Sequence, residues 1–187
     1  SLHRLSPEDQ IVLMYLLWGD LWPSIAPRDP ANTDNDFPAP DVLVQVVDAT
    51  SLEKDLELSL ELSLLGRPMV IALNRVDEAR RRGQYINVQT LSARLGVPVV
   101  PTIAHMGKGM SNLFETIVDV AREKSCPLPQ PPARHIAESL QTLQSIIARP
   151  EIEEIFRVPR ALLLSQLAEN DDYFLRVIGT RFPAIAD

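Results

Sequence analysis

A continuous apolar run that ends abruptly in polar side chains constrains the fold of this chain most. Residues 68–73 read Pro-Met-Val-Ile-Ala-Leu, and Asn74, Arg75, Val76 and Asp77 follow directly. An apolar run of this length behind a Gly-x-Pro turn is typical of a strand buried on both faces, as in parallel sheets. Such sheets bind ligands at the carboxyl ends of their strands. The pattern therefore predicts an α/β fold with a binding site at Asn74 to Asp77.

The spacing of Asn74 and Asp77 suits the recognition of a guanine base. An amide side chain offers a donor and an acceptor, and a carboxylate accepts two parallel N–H bonds. Guanine carries the N7 and O6 acceptors on one side and the N1–H and N2–H₂ donors on another, so the pair can distinguish it from adenine. An isolated Asn-x-x-Asp also often only caps the next helix. On the tetrapeptide alone, both interpretations stay open.

Further segments extend the predicted sheet. Residues 41–48 are a second candidate for a buried strand, and Ser51 is the predicted N-cap of the helix that follows and ends at Gly66. A stripe of leucines with four-residue spacing predicts the inward face of this helix. The stripe comprises Leu52, Leu56, Leu60 and Leu64. A helix from Asn87 or Thr90 to Gly96, a strand over residues 97–104 near the sheet edge, a glycine-rich turn at 105–109 and a helix over 110–124 complete the series.

Prolines divide the chain into parts. Residues 21–39 contain four prolines and a polar run, which predicts an inserted surface loop. Residues 127–132 contain four prolines in six positions and indicate a linker. We predict an α/β domain over residues 1–126 that opens with a helix from Ser6 to about Trp18. A proline-rich linker at 127–133 and a helical segment at 134–187 follow.

Composition excludes several classes of protein. A net charge of −7 and a pI near 5.0 argue against a nucleic-acid partner. The one cysteine rules out an internal disulfide, and the absence of paired His, Cys or Glu at ligand spacing argues against a metal held by protein groups alone. The longest apolar run, Ile11 to Trp18, is less than half of a membrane span, so we expect this piece to be soluble and outside the bilayer. The absence of an initiator Met predicts an internal fragment.

Several stretches occur in the order and at the separations found in one family. They are residues 46–62, Gly66-x-Pro68, Ala72-Leu-Asn74-x-x-Asp77, residues 91–101 and Gly107-Lys-Gly109. Residues 1–124, with one interruption, thereby resemble the cytosolic GTPase (G) domain of the ferrous-iron transporter family FeoB. The resemblance implies a partial P-loop-GTPase-like, Rossmann-type three-layer sandwich with a mostly parallel sheet. The tail resembles, more weakly, the start of the helical domain of that family.

The resemblance implies a guanine-nucleotide site. Asn74 and Asp77 fall on the guanine-specificity motif of the family, and Arg75 falls where a long side chain can lie along the base or ribose. The loop whose backbone amide contacts guanine O6 corresponds to three residues, of which Ala104 is the expected donor. The three residues are Ile103, Ala104 and His105.

Departures from the family pattern limit the expected activity. The phosphate loop Gly-x-x-x-x-Gly-Lys-Ser/Thr, the segment whose Thr helps hold Mg²⁺ and the Asp-x-x-Gly motif do not occur where the resemblance would place them, and residues 21–39 are extra. GTP hydrolysis depends on positioning and neutralising the phosphates. We therefore expect this chain alone to bind GTP or GDP weakly or not at all and to have no GTPase activity, and we assign hydrolysis and Mg²⁺ to the complete parent.

The resemblance also implies partners and a location. The parent regulates Fe(II) uptake at the cytoplasmic face of the bacterial inner membrane, together with its own transmembrane portion. Loss of neighbouring strands would expose the edge of the strand at 41–48, which predicts self-association. Two other functions stay open: a non-catalytic GTPase-like interaction or regulatory module, and an unrelated flavodoxin-like binding domain.

Overall fold

The computed structural model describes two compact units of the chain. The described residues of the first are 40–124 and 126–127, and those of the second are 15–16, 152, 156, 158–168 and 172–181. Tyr15 and Leu16 are helical, as predicted for residues 6–18, but they group with the second unit, whereas the predicted division placed them in the α/β domain. The predicted loop at 21–39 and most of the linker at 127–133 lie outside the described residues, so the domain boundaries stay a prediction.

The first unit alternates strands and helices. Its elements are β1 (Leu43–Asp48), α1 (Leu52–Ser63), β2 (Met69–Asn74), α2 (Val76–Arg81), α3 (Val88–Leu95), β3 (Val99–Thr102), a 3₁₀ turn (Ala104–Met106) and α4 (Met110–Glu123). Among the described residues the sheet has the order β1-β2-β3, and both pairs of strands are parallel. The predicted α/β class with a mostly parallel sheet is confirmed.

Strand β2 is the centre of the sheet. Each of its residues from Met69 to Leu73 is at most 3% exposed, as the apolar run predicts for a strand covered on both faces. The register places Asp48 beside Asn74, and Asn74 beside Thr102. Three polar side chains therefore end the three strands at the same edge of the sheet.

Strand β1 corrects one prediction, because it is buried on one face only. Val44 is 41% exposed and Val46 is 67% exposed, while the odd-numbered residues between and beside them are buried. The strand lies at the edge of the described sheet. The exposed valines show that one of its faces has no helix packed against it among the described residues. The run Val-Leu-Val-Gln-Val-Val correctly predicted a strand. Its composition did not show that only one of the two faces of this strand is covered.

Helix α1 packs only partly as predicted, since Leu52, Leu56 and Leu64 are half-buried. Its buried positions are Ser59 and Ser63, whereas Leu60 is exposed. The serine hydroxyls donate to carbonyls of their own helix, to Asp55 O at 3.1 Å and Leu60 O at 2.6 Å, so these small side chains are buried without unpaired donors. Ser51 occupies the N-cap position but makes no side-chain capping bond, so its predicted capping role is wrong.

The following elements agree with the sequence. Asn87 is the N-cap of α3, where its Oδ1 accepts a hydrogen bond from the Thr90 N–H at 2.9 Å, and Gly96 ends the helix with a φ of 68°. Helix α4 then packs against β2 and β3 through an apolar cluster. The cluster comprises Val70, Ala72, Val100, Leu113 and Val120.

The described part of the second unit is helical, as predicted for the tail. It contains α5 (Arg160–Ala168) and α6 (Asp172–Arg181), and both helices bury residues in a shared apolar core. The core comprises Ile152, Phe156, Leu163, Leu167, Phe174 and Ile178. The rings of Phe156 and Phe174 are 5.4 Å apart between centroids and tilted by 31°. None of the described helices combines the length and the apolar character that crossing a bilayer requires.

Candidate functional site

The predicted site residues lie on two loops at the carboxyl end of the sheet. Asn74 ends β2 and the chain continues into α2 with Asp77 in its first turn, while residues 103–105 follow β3 directly. Because β2 and β3 are parallel neighbours, these two loops lie side by side. The structure thus brings together residues that are separated by up to 31 positions in the sequence.

The Asn74 side chain joins the two loops. Its Oδ1 accepts hydrogen bonds from the Ala104 N–H at 3.0 Å and from the Thr102 hydroxyl at 3.3 Å. Its Nδ2 donates to no group of the described residues. Asn74 also does not cap α2, whose N-cap is Arg75 without a side-chain bond, so the capping interpretation of Asn-x-x-Asp is wrong for this residue. The amide is held by its acceptor end and keeps its donor end free.

The loop after β3 is closed by its own backbone. The Ile103 N–H donates to Lys108 O at 2.9 Å, and the Met106 N–H donates to Ile103 O at 2.9 Å. His105 lies exposed on the 3₁₀ turn. The Ala104 N–H, expected to contact guanine O6, donates to Asn74 instead, so a base could receive this donor only by sharing or replacing the Asn74 bond. The roles of these loop residues stay predictions.

A close backbone approach fixes the end of the same loop. Gly109 has a φ of 79° and precedes α4, and a Cβ built at this position would lie 2.3 Å from Pro101 O. No side chain fits at that distance. Glycine is therefore required where the loop returns past the end of β3.

The Asp77 carboxylate is mostly covered and already paired. Its Oδ2 accepts a hydrogen bond from Arg81 Nη2 at 2.5 Å. Partial desolvation acts to raise the pKa of Asp77, but the Arg81 bond and the N–H of Glu78 outweigh it, and the net pKa is lowered. Asp77 is therefore a carboxylate at neutral pH and acts only as an acceptor.

Arg75 points to carboxylates rather than along the two loops. It has a left-handed φ of 63°, and its guanidinium binds Asp48 at 2.6 Å and Glu78 at 2.7 Å. The pair with Asp48 links the end of β1 to the start of α2. The sequence analysis did not predict a role for Asp48 or Glu78, although a carboxylate that ends a strand next to Asn74 was a usable signal.

Asp48 is the centre of a small hydrogen-bond network at the end of β1. Its Oδ1 accepts bonds from the Thr50 N–H and hydroxyl, both at 2.8 Å, and its own N–H donates to Asp55 Oδ2 at 2.7 Å. The Thr50 N–H is the main cause of the lowered pKa of Asp48; burial acts against it, and Arg75 adds to it. The network fixes the turn between β1 and α1.

This network predicts an acid-sensitive contribution to stability. Since the pKa of Asp48 in the folded chain is below its ordinary value of 3.8, the charged group stabilises the fold above about pH 3.8 and the contribution is lost as the pH falls through the folded pKa. Asp48→Ala should therefore lower the urea midpoint at pH 7, and the difference from wild type should shrink towards pH 3. Asp41→Ala, at an exposed position, is the control. A difference that stays constant between pH 7 and pH 3 would contradict the assignment.

Cation ligands are not grouped in the described part of the chain. No three His, Cys, Asp or Glu side chains lie together there in an arrangement that could hold a metal ion. The described residues therefore do not fit a metal held by protein groups, and Mg²⁺ is assigned no step at this site.

The fold and the position of the site define the class of protein. A mostly parallel sheet with helices between its strands, whose central strand ends in Asn-x-x-Asp, agrees with part of a GTPase G domain. Residues 36–117 match the family model described as ferrous iron transport protein B. The chain belongs to this family, FeoB.

Relatives and solved structures agree with this assignment. The chain is similar to an Fe(2+) transport protein A/FeoB fusion protein of Porphyromonas gingivalis, at 43% identity over 75% of this chain and 17% of the relative. It is also similar to the Fe(2+) transporter FeoB of Escherichia coli K12, at 32% identity over 91% of this chain and 19% of the relative. The chain thus spans less than a fifth of these relatives.

The solved structures show the same fold. The cytosolic domain of T. maritima FeoB in its GMPPNP form has a TM-score of 0.74 at 23% identity, covering 95% of this chain and 61% of that one. S. thermophilus NFeoB, bound to mGMPPNP, has a TM-score of 0.66 at 26% identity, covering 93% and 57%. Both are structures of FeoB proteins, and their fold agrees with the fold of this chain.

Proposed function

We propose that this chain provides the guanine-recognition part of the GTPase domain of a ferrous-iron transporter. One observation carries the proposal: Asn74 Oδ1 is held by the loop after β3, which leaves Nδ2 without a hydrogen bond among the described residues, and Asp77 follows three residues later in the first turn of α2. A donor and a double acceptor at this spacing complement guanine. In the parent, residues 1–126 form part of the G domain and residues 134–187 begin the helical domain.

Recognition follows from the polarity of each group. Asn74 Nδ2 donates to N7 or O6 of guanine, and the Asp77 oxygens accept from N1–H and N2–H₂. Ala104 donates its N–H to O6 when it leaves Asn74, while Ile103 and His105 flank that amide and Arg75 borders the base or ribose. Adenine offers an N1 acceptor where guanine has a donor, so the Asp77 carboxylate would face a lone pair and repel it.

The names of the relatives support the biological setting. They are Fe(2+) transporters, and the S. thermophilus structure contains a guanine-nucleotide analogue. We therefore include in the proposal that the parent controls Fe(II) uptake at the cytoplasmic face of the bacterial inner membrane, with its transmembrane portion as partner. GTP or GDP is the ligand, and Mg²⁺ accompanies the phosphates in the complete parent.

Nucleotide titration tests the base-recognition proposal. Two or three base contacts offset little of the entropy lost on association, so we expect weak binding of GDP. Isothermal titration calorimetry at matched concentrations of GDP and ADP should give at least about a tenfold preference for GDP, because a reversed hydrogen-bond polarity leaves paired groups unsatisfied. Equal affinity for the two nucleotides would overturn base recognition by this site and favour the non-catalytic interaction module.

We also propose that the outer edge of β1 pairs with a second copy of the chain. The Leu43 N–H donates to Pro68 O and the Ala49 N–H donates to Asn74 O, so the odd-numbered residues of β1 direct their backbone groups towards β2. Because these directions alternate along a strand, the backbone groups of Val44 and Val46 point away from β2. An antiparallel pairing centred on Gln45 would set Val44 opposite Val46 of the second copy.

A charge on the exposed face tests this pairing. Val46→Lys should shift sedimentation velocity from a concentration-dependent dimer towards the monomer, because edge lysines oppose strand pairing. Val118→Lys, at an exposed apolar position on α4, is the matched control and should leave the dimer intact. A wild-type protein that is monomeric at all concentrations, or equal effects of both variants, would contradict pairing through β1.

A further inference from the structure

The group that pairs with Asp77 resembles the base edge that the site is proposed to bind. Arg81 lies one turn after Asp77 on α2, and its Nη2 is 2.5 Å from Asp77 Oδ2. The Arg81 side chain is 72% exposed, whereas that of Asp77 is only 21% exposed. A cation from the surface thus covers part of the Asp77 carboxylate.

Arginine and guanine present the same donor pattern to a carboxylate. The guanidinium group is planar and carries parallel N–H donors that match the two carboxylate oxygens. In guanine, N1–H and N2–H₂ are attached to one carbon and form the same planar pair of donors. In the structure Arg81 occupies one of the two oxygens, Oδ2, which the guanine edge would also need, so the two groups compete for that oxygen.

We propose that Arg81 is a built-in competitor for the guanine edge, which occupies Asp77 until a nucleotide displaces it. This inference rests on the proposed function, and it adds a residue that sets the affinity of the same site. The competition is limited in strength, since exposed ion pairs with this spacing are weak and are screened by salt. Arg81 therefore adjusts nucleotide affinity rather than blocking the site.

Asp77 keeps its place when Arg81 leaves. The backbone of the first turn of α2 is fixed by the Glu78 and Ala79 N–H bonds to Arg75 O, and the N–H groups of Glu78 and Asp77 lower the pKa of Asp77 in addition to Arg81, so the acceptor stays ionised without the arginine. A variant that lacks the Arg81 guanidinium thus retains the acceptor. Its effect on nucleotide binding then reports competition and not a displaced aspartate.

The C-cap residue of α2, Arg82, provides a matched control for this experiment. Arg82 pairs with Glu78 at 2.5 Å, with the same i to i+4 spacing as the pair of Arg81 and Asp77. Arg81→Gln and Arg82→Gln each remove one positive charge and one such ion pair from the same helix. Only the first of them frees Asp77.

Calorimetric titration of the full chain with GDP at low ionic strength tests the proposal. Arg81→Gln should bind GDP about twofold more tightly than wild type, while Arg82→Gln should bind like wild type. At about 1 M salt, where the Debye length is about 3 Å, the advantage of Arg81→Gln should disappear. Carbon-detected NMR titration should show a higher pKa of Asp77 in Arg81→Gln than in wild type, and no such change in Arg82→Gln.

The outcomes separate this inference from the function on which it rests. If wild type prefers GDP over ADP but Arg81→Gln binds no more tightly, or its advantage persists at high salt, the competitor role is wrong and base recognition stands. An unchanged pKa of Asp77 in Arg81→Gln would also overturn the competitor role, because the ion pair would then be absent in solution. If wild type and both variants fail to bind GDP, both proposals fail.

Discussion

Gly109→Ala is expected to destabilise the first unit by about 2–5 kcal/mol, the largest effect on stability predicted for a single substitution here. Two costs combine at this position. The φ of 79° is unfavourable for a residue with a side chain, and the added Cβ would lie 2.3 Å from Pro101 O, which is backbone and cannot move aside without shifting β3. Urea denaturation followed by circular dichroism measures the loss.

Gly83→Ala separates the two costs. Gly83 has a φ of 76°, close to that of Gly109, but a Cβ there meets no atom within 4 Å. This variant should therefore lose only the backbone term of about 1–2 kcal/mol. Equal losses for the two variants would show that the return of the loop past β3 is not as close as the structure has it.

Asp77→Asn is expected to weaken GDP binding by about 10- to 100-fold, the largest effect on ligand binding. The substitution replaces one acceptor oxygen by an NH₂ group, which then faces a donor of guanine. The charge that strengthens the remaining hydrogen bond is lost as well. Calorimetric titration with GDP measures the change, and the fold should be retained because the two side chains have nearly the same shape.

A changed base preference distinguishes lost recognition from misfolding. Xanthine carries an oxygen where guanine carries its 2-amino group, so the new NH₂ of Asp77→Asn can donate to it. The variant should therefore prefer xanthosine diphosphate over GDP, whereas wild type should show the reverse. Loss of affinity for both nucleotides would point to a disturbed pocket, and unchanged GDP binding would remove Asp77 from the site.

The sequence predicted most reliably what local patterns determine. The burial of β2 followed from its unbroken apolar run, and the ends of α3 followed from Asn87 and Gly96, since these residue types favour the backbone conformations found there. Two of the predictions that failed depend on neighbours. Composition could not reveal that β1 has one open face, or that the most deeply buried residues of α1 are Ser59 and Ser63, with Leu60 of the predicted stripe exposed.

The sequence proposed the members of the candidate site but not their contacts. Asn74 and Asp77 were found from their spacing, and the loop at residues 103–105 from a family resemblance. The bond between Asn74 and the Ala104 N–H joins residues 30 positions apart, and that between Arg75 and Asp48 joins residues 27 apart. Such pairings depend on strand order and register, which one sequence does not specify.

The hydrogen bond between Ala104 and Asn74 has a thermodynamic consequence for the proposed site. If O6 of a guanine takes the Ala104 N–H, the chain gives up an internal bond to form an external one of the same kind. Such an exchange yields almost no net bonding energy when the base offers an acceptor, whereas a base with a donor there, such as the N6–H₂ group of adenine, would face the N–H unfavourably. The Ala104 N–H would then reject bases that have no acceptor at that position. It would not raise the affinity for bases that have one. The base corner would act as a filter on identity, and the strength of binding in a complete G domain would come from the phosphates.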